Sequence, residues 1–233
     1  MPSAAASGGA RLASAAVMAT RDCACTDVRH TPRLVVVTGG PGAGKTALLE
    51  VVRRHFCEHV VVLPEAASML FGGGFPRHAT DVGRRAAQRA IFHVQRELES
   101  IVLGERAAAV ALCDRGTVDG VAYWPAPEET FYAELGSARE TELGRYDLVI
   151  HLRTPQANGG YNHRNQVRIE SAAEAREIDR RIIAAWDGHP RRFFVDSEAD
   201  FMQKVARALQ ILEEEVPDGC ARRTPSLVGA VPE

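Results

Sequence analysis

Short apolar runs alternate with longer amphipathic segments along most of this 233-residue chain. The runs are continuous in Val, Leu, Ile and Phe, a pattern typical of strands that are buried on both faces of a sheet. They predict five strands, over residues 33–38, 60–63, 107–113, 146–152 and 192–196. Between them, apolar residues recur at three- and four-residue steps and predict helices over 46–58, 81–103, 171–186 and 201–212. Because strand and helix alternate, we expect an α/β fold, a three-layer αβα sandwich with a five-stranded parallel sheet between two layers of helices.

The connection between the first predicted strand and the first helix has the sequence GGPGAGKT, from Gly39 to Thr46. This is the spacing of a P-loop, in which residues without side-chain bulk let backbone N–H groups close around phosphate oxygens. We expect Lys45 to reach the β- and γ-phosphates and the Thr46 hydroxyl to bind Mg²⁺. A Gly-rich turn with an incidental Lys-Thr pair is the alternative, but the strand before the loop and the helix after it favour a P-loop NTPase. The predicted nucleotide-binding residues are Gly39, Gly40, Pro41, Gly42, Ala43, Gly44, Lys45, Thr46 and Ala47.

Acidic residues directly follow the next two predicted strands. Glu65 comes just past the second strand, and Asp114 and Arg115 follow the third. Because the carboxyl ends of parallel strands form the edge at which open sheets bind ligands, we expect all three near the phosphates. Asp114 is predicted to hold Mg²⁺ with Thr46, and a turn or helix-capping residue is the alternative. Arg115 is predicted to act as a cation for the transferring phosphoryl group, and Glu65 to orient or deprotonate a hydroxyl acceptor.

A loop rich in Pro, Asn, Gly and Arg follows the fourth predicted strand, over residues 153–165. We interpret it as a lid that brings Arg164 and the nearby Arg168 to the phosphates, where their charges would stabilise the transferring group. Arginines of an ordinary solvated loop are the alternative interpretation.

Three further segments are candidates for contact with ligand. Residues 71–76 contain three consecutive glycines and predict a mobile loop. Residues 117–132 include Tyr123 and Trp124, which either face the substrate or serve as packing anchors. The turn over residues 196–200 follows the fifth predicted strand and lies where a nucleotide base could rest.

The composition is that of one ordinary globular domain, with 45% hydrophobic and 25% charged residues. We expect the P-loop domain to span residues 32–214, between a disordered leader over 1–31 and a flexible tail over 215–233. A weak transit peptide or secretory signal is the alternative for the Ala- and Ser-rich leader, and Met18 is an alternative start. No apolar run approaches the roughly 20 residues that a membrane-spanning helix needs.

The charge and the cysteine content indicate which partners and which cellular location to expect. The formal net charge of −2 gives no bulk attraction to nucleic acid, so we expect no nucleic-acid partner. The five cysteines lie at spacings that suit neither a zinc site nor a disulfide framework, and the eight histidines form no metal-spaced set. We therefore interpret the Cys23-x-Cys25 pair as incidental and expect a reducing, cytoplasmic location. No feature of the sequence indicates an oligomeric state.

Four stretches carry a resemblance to a known family: GGPGAGKT, LPEAAS, CDRGTVDGVAYW, and residues 164–197, which begin RNQVRIES. Over about residues 33–212 the chain resembles the kinase-like AAA-domain family of P-loop ATPases. That family is similar to nicotinamide riboside kinase and deoxynucleoside kinase folds, and it includes a eukaryotic trafficking protein that binds GTP and phosphoinositide. The resemblance implies binding of ATP or GTP with Mg²⁺ through Gly42, Gly44, Lys45 and Thr46, with Glu65, Asp114 and Arg115 near the phosphates.

Two hypotheses about function follow. The first is an ATP-dependent phosphotransferase or ATPase that uses Lys45, Glu65, Asp114 and Arg115, with the lid arginines, to move the γ-phosphate to a small hydroxylated metabolite. The second is a binding module with slow hydrolysis, whose loops change when ATP or GTP binds and report to a protein or phosphoinositide partner.

Overall fold

The computed structural model describes residues 29–154, 172–196 and 201–218, together with Cys23, Cys25 and Cys220. Several sequence-based predictions lie outside these residues: most of the leader and of the tail, most of the lid with Arg164 and Arg168, residue 171 at the start of a predicted helix, and the turn residues 197–200. They remain predictions.

All five predicted strands are present and form one parallel sheet in the order β2-β3-β1-β4-β5. They are β1 (Arg33–Thr38), β2 (Val60–Leu63), β3 (Val110–Asp114), β4 (Leu148–Leu152) and β5 (Arg192–Val195). The third strand begins three residues later than predicted, because its neighbours β1 and β2 both start their pairing at Val110. Ala109 still exchanges backbone hydrogen bonds with Arg33 and His59, and regular pairing begins with the next residue.

Seven α-helices and one 3₁₀ helix surround the sheet in the described part of the chain. They are α1 (Lys45–His55), α2 (Ala66–Gly72), α3 (Asp81–Glu105), the 3₁₀ helix (Thr117–Tyr123), α4 (Glu128–Leu135), α5 (Arg139–Leu143), α6 (Ala172–Ala185) and α7 (Phe201–Glu213). The four helices predicted from periodicity correspond to α1, α3, α6 and α7. The others are five to eight residues long, too short for an apolar face to recur.

The predicted loop over 71–76 is wrong at its start, because α2 continues through Phe71 and Gly72. The backbone N–H of Gly73 donates to the carbonyl of Met69 and closes the last turn. The glycines therefore end a helix that already contains Phe71.

Alternate residues of the central strand β1 face two separate hydrophobic cores. Val35 and Val37 pack in one core with α1 and α7. Leu34 and Val36 pack in the other with the 3₁₀ helix and α6. This arrangement confirms the predicted three-layer sandwich, and it places the carboxyl ends of all five strands at one edge of the sheet. Among the described helices, none is both long and apolar enough to cross a membrane.

Candidate active site

The P-loop connects β1 to α1 through glycines whose conformation and packing exclude other residues. Gly39 has φ +134°, and a Cβ there would lie 2.1 Å from the carbonyl oxygen of Leu152. Gly44 has φ +95°, and its Cβ would lie 2.7 Å from the ring of Phe201. Both φ values are in the region that favours glycine. The loop is therefore held tightly between the end of β4 and the start of α7, with the N-terminus of α1 beside it.

Lys45 folds back over the loop that precedes it. Its Nζ donates to the carbonyl oxygens of Gly39 at 3.0 Å and Gly40 at 3.3 Å. Burial, reinforced by the charge of Arg115, lowers the Lys45 pKa to about 8, although Asp114 and Glu65 act in the opposite direction. The amine therefore lies within a group of interacting charges at the phosphate-binding loop.

Two buried side chains that the sequence analysis did not single out fix the P-loop from opposite sides. Asp179 of α6 accepts hydrogen bonds from the backbone N–H of Gly40 at 2.7 Å and of Thr154 at 3.3 Å. Lys204 of α7 donates from Nζ to the carbonyl of Ala43 at 2.9 Å and that of Arg153 at 2.6 Å. Both side chains also reach the residues after β4. The P-loop and the start of the predicted lid thus share two anchors.

Asp179 remains ionised in this position. His151 Nε2 lies 2.9 Å from its Oδ1, an arrangement in which the ring donates to the carboxylate. Burial raises the Asp179 pKa, but the hydrogen bond and charge of His151 and the two backbone N–H donors outweigh it and hold the pKa below its ordinary value.

Glu65 and Arg115, predicted from the ends of β2 and β3, contact each other. Arg115 donates from Nε to Glu65 Oε1 at 2.8 Å and from Nη1 to Asp119 Oδ1 at 3.1 Å. Ser68 also donates to Glu65. Burial raises the Glu65 pKa, but Arg115, Ser68 and Lys45 together bring it below its usual range. Glu65 is therefore a carboxylate at neutral pH.

Asp119 is a buried carboxylate that lines the cavity and accepts hydrogen bonds from several elements at this end of the sheet. Besides Arg115, it accepts hydrogen bonds from the Thr38 hydroxyl and, at 3.1 Å each, from Gly116 N–H and Trp186 Nε1. These donors come from β1, from the segment after β3 and from the residue that follows α6, so one buried carboxylate connects the sheet with the helical layer on one of its faces. Arg115 itself has φ +74°, a strained value for a residue other than glycine. The hydrogen bonds that Asp119 accepts from Arg115 and Gly116 hold this backbone conformation in place.

Asp114 has the features expected of a cation ligand. Among the described residues, its buried Oδ1 has no hydrogen-bond partner. Burial, together with the charges of Glu65 and Asp119, raises the Asp114 pKa, while Lys45 and Arg115 counteract. A divalent cation would supply a partner for this Oδ1 atom and would favour the ionised form of the Asp114 carboxylate. Asp114 and the exposed Thr46 both line the same cavity, so the donor set fits Mg²⁺.

The cavity has a volume of about 310 Å³. It is lined by Pro41, Gly42, Lys45 and Thr46 around the P-loop, and by Glu65, Asp114 and Arg115 from the ends of β2 and β3. The lining also includes apolar and polar side chains from other elements: Phe71, Ile91, Tyr123, Ser68, Arg77, Gln88 and Gln95. This volume suits a small molecule beside a phosphate chain.

The two aromatic residues of the 3₁₀ segment have different environments. Tyr123 lines the cavity. Trp124 is buried against Phe131, and its Nε1 donates to Thr130 at 2.8 Å. Packing is therefore the role of Trp124, and only Tyr123 stays a candidate for ligand contact.

Arg153, at the start of the predicted lid, is paired with Asp196 at 3.1 Å and lies over the ring of Phe194.

Three cysteines and one histidine come together in the structure, although their spacing in the sequence does not suit a zinc site. Cys23, Cys57, His59 and Cys220 converge, with one potential ligand atom from each lying within 4.8 Å of all the others. These residues lie near the start of β2, away from the cavity. Spacing alone could not reveal the group, because up to 161 residues separate its contacting members.

Comparison with known proteins agrees with this architecture. A family model described as an AAA domain matches residues 34–204, most of the chain. The chain belongs to this AAA domain family. The family match covers the P-loop, the ends of β2 and β3, and both anchors of the loop. No curated protein matches the sequence.

Solved structures share the fold at low sequence identity. A NadR protein in complex with NR is similar with a TM-score of 0.65 and 17% identity, over 84% of this chain and 55% of that one. NadR in complex with NAD and AMP-PNP gives 0.55 and 17%, over 79% and 49%. Thymidylate kinase from Candida albicans gives 0.52 and 13%, over 85% and 100%. The chain thus spans about half the length of NadR, and the fold is that of kinase-like P-loop proteins.

Proposed function

We propose that this AAA domain protein is a phosphotransferase that moves the γ-phosphoryl group of ATP to a hydroxyl of a small metabolite. The observation that carries the proposal is the position of Glu65. It is an ionised carboxylate that lines the same cavity as Lys45, Asp114 and the aromatic residues Phe71 and Tyr123. A carboxylate in this position can accept the proton of a hydroxyl that is bound beside the phosphates.

The residues divide the work between positioning and charge stabilisation. The P-loop backbone and Lys45 would hold the phosphates, and Thr46 and Asp114 would hold Mg²⁺. When bound, Mg²⁺ neutralises charge on the β- and γ-phosphates. The acceptor oxygen then bonds to the γ-phosphorus, the bond to the β–γ bridging oxygen breaks, and ADP leaves. Glu65 accepts the hydroxyl proton.

Arg115 links the base to the phosphate end of the site. Its guanidinium carries five N–H donors, so the hydrogen bonds to Glu65 and Asp119 do not exhaust it. It can hold Glu65 and also stabilise negative charge that develops on the transferring group. Arg164 and Arg168 of the predicted lid, which lie outside the described residues, would add to that charge when the lid closes.

The aromatic residues that line the cavity favour a ring-containing acceptor. Phe71 and Tyr123 offer ring faces and edges, while Gln88 and Gln95 offer amide groups for hydrogen bonds. A nucleoside or a related vitamin precursor combines a planar ring with sugar hydroxyls. The fold is also shared with NadR, solved in complex with NR, and with thymidylate kinase. We therefore propose nucleoside-like compounds as the first acceptors to test.

The test is transfer of labelled γ-phosphate from ATP or GTP, with Mg²⁺, into a pool of nucleosides, vitamin precursors and amino-sugars. Lys45→Ala serves as the blank. The proposal predicts one labelled product that disappears in the blank. Nucleotide binding without any labelled acceptor would contradict it.

The alternative is a nucleotide-gated binding module for a protein or phosphoinositide. One observation favours it: Phe71 and Arg77 both line the cavity and flank the exposed glycines Gly72, Gly73 and Gly74. In the described state the Arg77 guanidinium lies 4.0 Å from the centre of the Phe71 ring. A ligand that separated this pair would alter an exposed surface. The alternative requires a partner or vesicle that binds more tightly with nucleotide than without it.

A further inference from the structure

Three thiols and one imidazole meet at the amino end of strand β2. Cys57 and His59 lie in the connection between α1 and β2, Cys23 precedes β1, and Cys220 follows α7. His59 Nδ1 lies 3.5 Å from Cys23 Sγ and 3.6 Å from Cys220 Sγ. The four ligand atoms all lie within 4.8 Å of one another.

The two S···N distances match the edges of a tetrahedron around zinc, and the other separations lie within 4.8 Å. With Zn–S bonds of about 2.3 Å and Zn–N bonds of about 2.0–2.1 Å, a tetrahedral site has S···N edges of about 3.6 Å. We propose that Cys23, Cys57, His59 and Cys220 bind one Zn²⁺ ion. Three cysteines and one histidine are an established ligand set for structural zinc, and soft thiolates favour zinc over magnesium or calcium.

The surroundings orient these ligands. The carbonyl of His59 accepts hydrogen bonds from the backbone N–H of Ala109 at 2.8 Å and of Val110 at 3.1 Å, so the sheet fixes its backbone. The backbone N–H of Cys25 lies 3.5 Å from Cys23 Sγ and donates to it. Such outer hydrogen bonds stabilise a thiolate ligand.

Cys25 and His30 lie beside the proposed site. Cys25 Sγ is 3.8 Å from His30 Nε2, and the His30 ring is 4.6 Å from that of His59, ring centre to ring centre. Together with His59 and Cys220 they form a second possible ligand set. We assign the ion to the first set because His59 Nδ1 contacts two of its thiols directly.

The location indicates a structural ion. His59 immediately precedes β2, whereas Glu65 follows the other end of this strand. At about 3.3 Å per residue, the four residues of β2 separate the two sites by more than 10 Å. Four protein ligands leave no open position for a substrate. The ion would join the segment before β1 and the segment after α7 to β2, which lies at the edge of the sheet.

The experiment measures metal in the full chain, purified under reducing conditions without a metal-affinity tag. We expect one zinc per chain by elemental analysis. Replacing it with Co²⁺ should give the intense visible absorption of a tetrahedral thiolate site. Cys57→Ser and Cys220→Ser should lower zinc affinity at least about tenfold. Cys113→Ser is the matched control, because this buried thiol lies on β3 in the core that contains Leu34 and Val36, and the substitution should leave zinc binding unchanged.

Removal of the ion gives a second readout. A chelator should lower the melting temperature of the wild-type chain and of Cys113→Ser, because zinc binding stabilises the folded state. Nucleotide affinity should change less than about twofold, since the P-loop lies at the other end of the sheet.

A second pair of variants keeps the proposal testable if Cys57→Ser or Cys220→Ser fails to fold. Cys23 and Cys25 both precede the sheet. Cys23→Ser should release zinc, whereas Cys25→Ser should retain it. The proposal is overturned if the reduced chain binds no zinc, if Co²⁺ gives the weak spectrum of an octahedral site, or if mass spectrometry finds a disulfide among Cys23, Cys57 and Cys220. Loss of zinc in Cys25→Ser but not in Cys23→Ser would also overturn it.

Discussion

Arg115 donates a 2.8 Å hydrogen bond from its Nε to Oε1 of Glu65, and so joins the residue after β3 to the residue after β2. This contact keeps Glu65 ionised despite its burial. Glu65, the candidate base, is thus held in place by Arg115, which is itself a candidate for binding the phosphoryl group. Binding of an acceptor hydroxyl to Glu65 and of a phosphoryl group to Arg115 would therefore be coupled.

Glu65→Gln should reduce phosphoryl transfer by about 10²–10⁴-fold, because the amide cannot accept the hydroxyl proton. Nucleotide affinity should stay within about threefold of wild type, since the P-loop is unchanged. Steady-state transfer assays and nucleotide titrations measure the two quantities. Glu177→Gln, at an exposed position on α6, is the matched control. Full activity in Glu65→Gln would remove the base from the proposal.

Arg115→Met should shift the acid limb of the rate profile to higher pH. In the wild type, Arg115 lowers the Glu65 pKa, so Glu65 stays charged to unusually low pH. Without that cation the carboxylate takes up a proton at higher pH, and activity falls earlier on acidification. The position of the limb in kcat/KM, rather than the absolute rate, is the relevant measurement. An unchanged limb would show that a group other than Glu65 controls it.

Lysine occurs at only two positions in the chain, Lys45 and Lys204. Because the Lys45 pKa is about 8, a substantial neutral fraction is present at pH 8, and an amine-acylating reagent should modify it readily. ATP with Mg²⁺ should protect Lys45 by engaging its amine. Peptide mapping by mass spectrometry gives the extent of modification at each site.

Lys204 serves as the internal reference in the same peptide map. Its pKa is also lowered to about 8 by burial, but its side chain is buried and bonded to two carbonyls, so it should react slowly with or without nucleotide. Equal modification of Lys45 in the presence and absence of nucleotide would count against its contact with phosphate.

Asp179→Asn should weaken nucleotide binding by about tenfold. The two carboxylate oxygens of Asp179 accept hydrogen bonds from Gly40 and Thr154, whereas an amide has only one acceptor oxygen and would lose one of these bonds. The free energy of unfolding of this variant should also depend less on pH below about pH 4. The folded-state pKa of Asp179 lies below its ordinary value, so its contribution is present above about pH 4 and is lost as pH falls further. Asp187→Asn, at an exposed position after α6, is the control.

The shared location of residues at strand ends could be predicted from the sequence. Lys45, Glu65, Asp114 and Arg115 line one cavity because strand ends in a parallel sheet meet at one edge. Asp179 and Lys204 could not, since each contacts a P-loop residue 139 or 161 positions away. Their contacts depend on how α6 and α7 pack on the sheet. The cysteine cluster was missed for the same reason.

The most direct test of the account follows the γ-phosphoryl group itself. With labelled ATP, Mg²⁺ and the acceptor found in the pooled assay, one measures the ratio of label in the phosphate ester to label in inorganic phosphate, for the wild type and Glu65→Gln. The account predicts that the ester dominates in the wild type and that its share falls at least about tenfold in the variant. Label that appears only as inorganic phosphate, at the same rate in both proteins, would contradict phosphoryl transfer at this site.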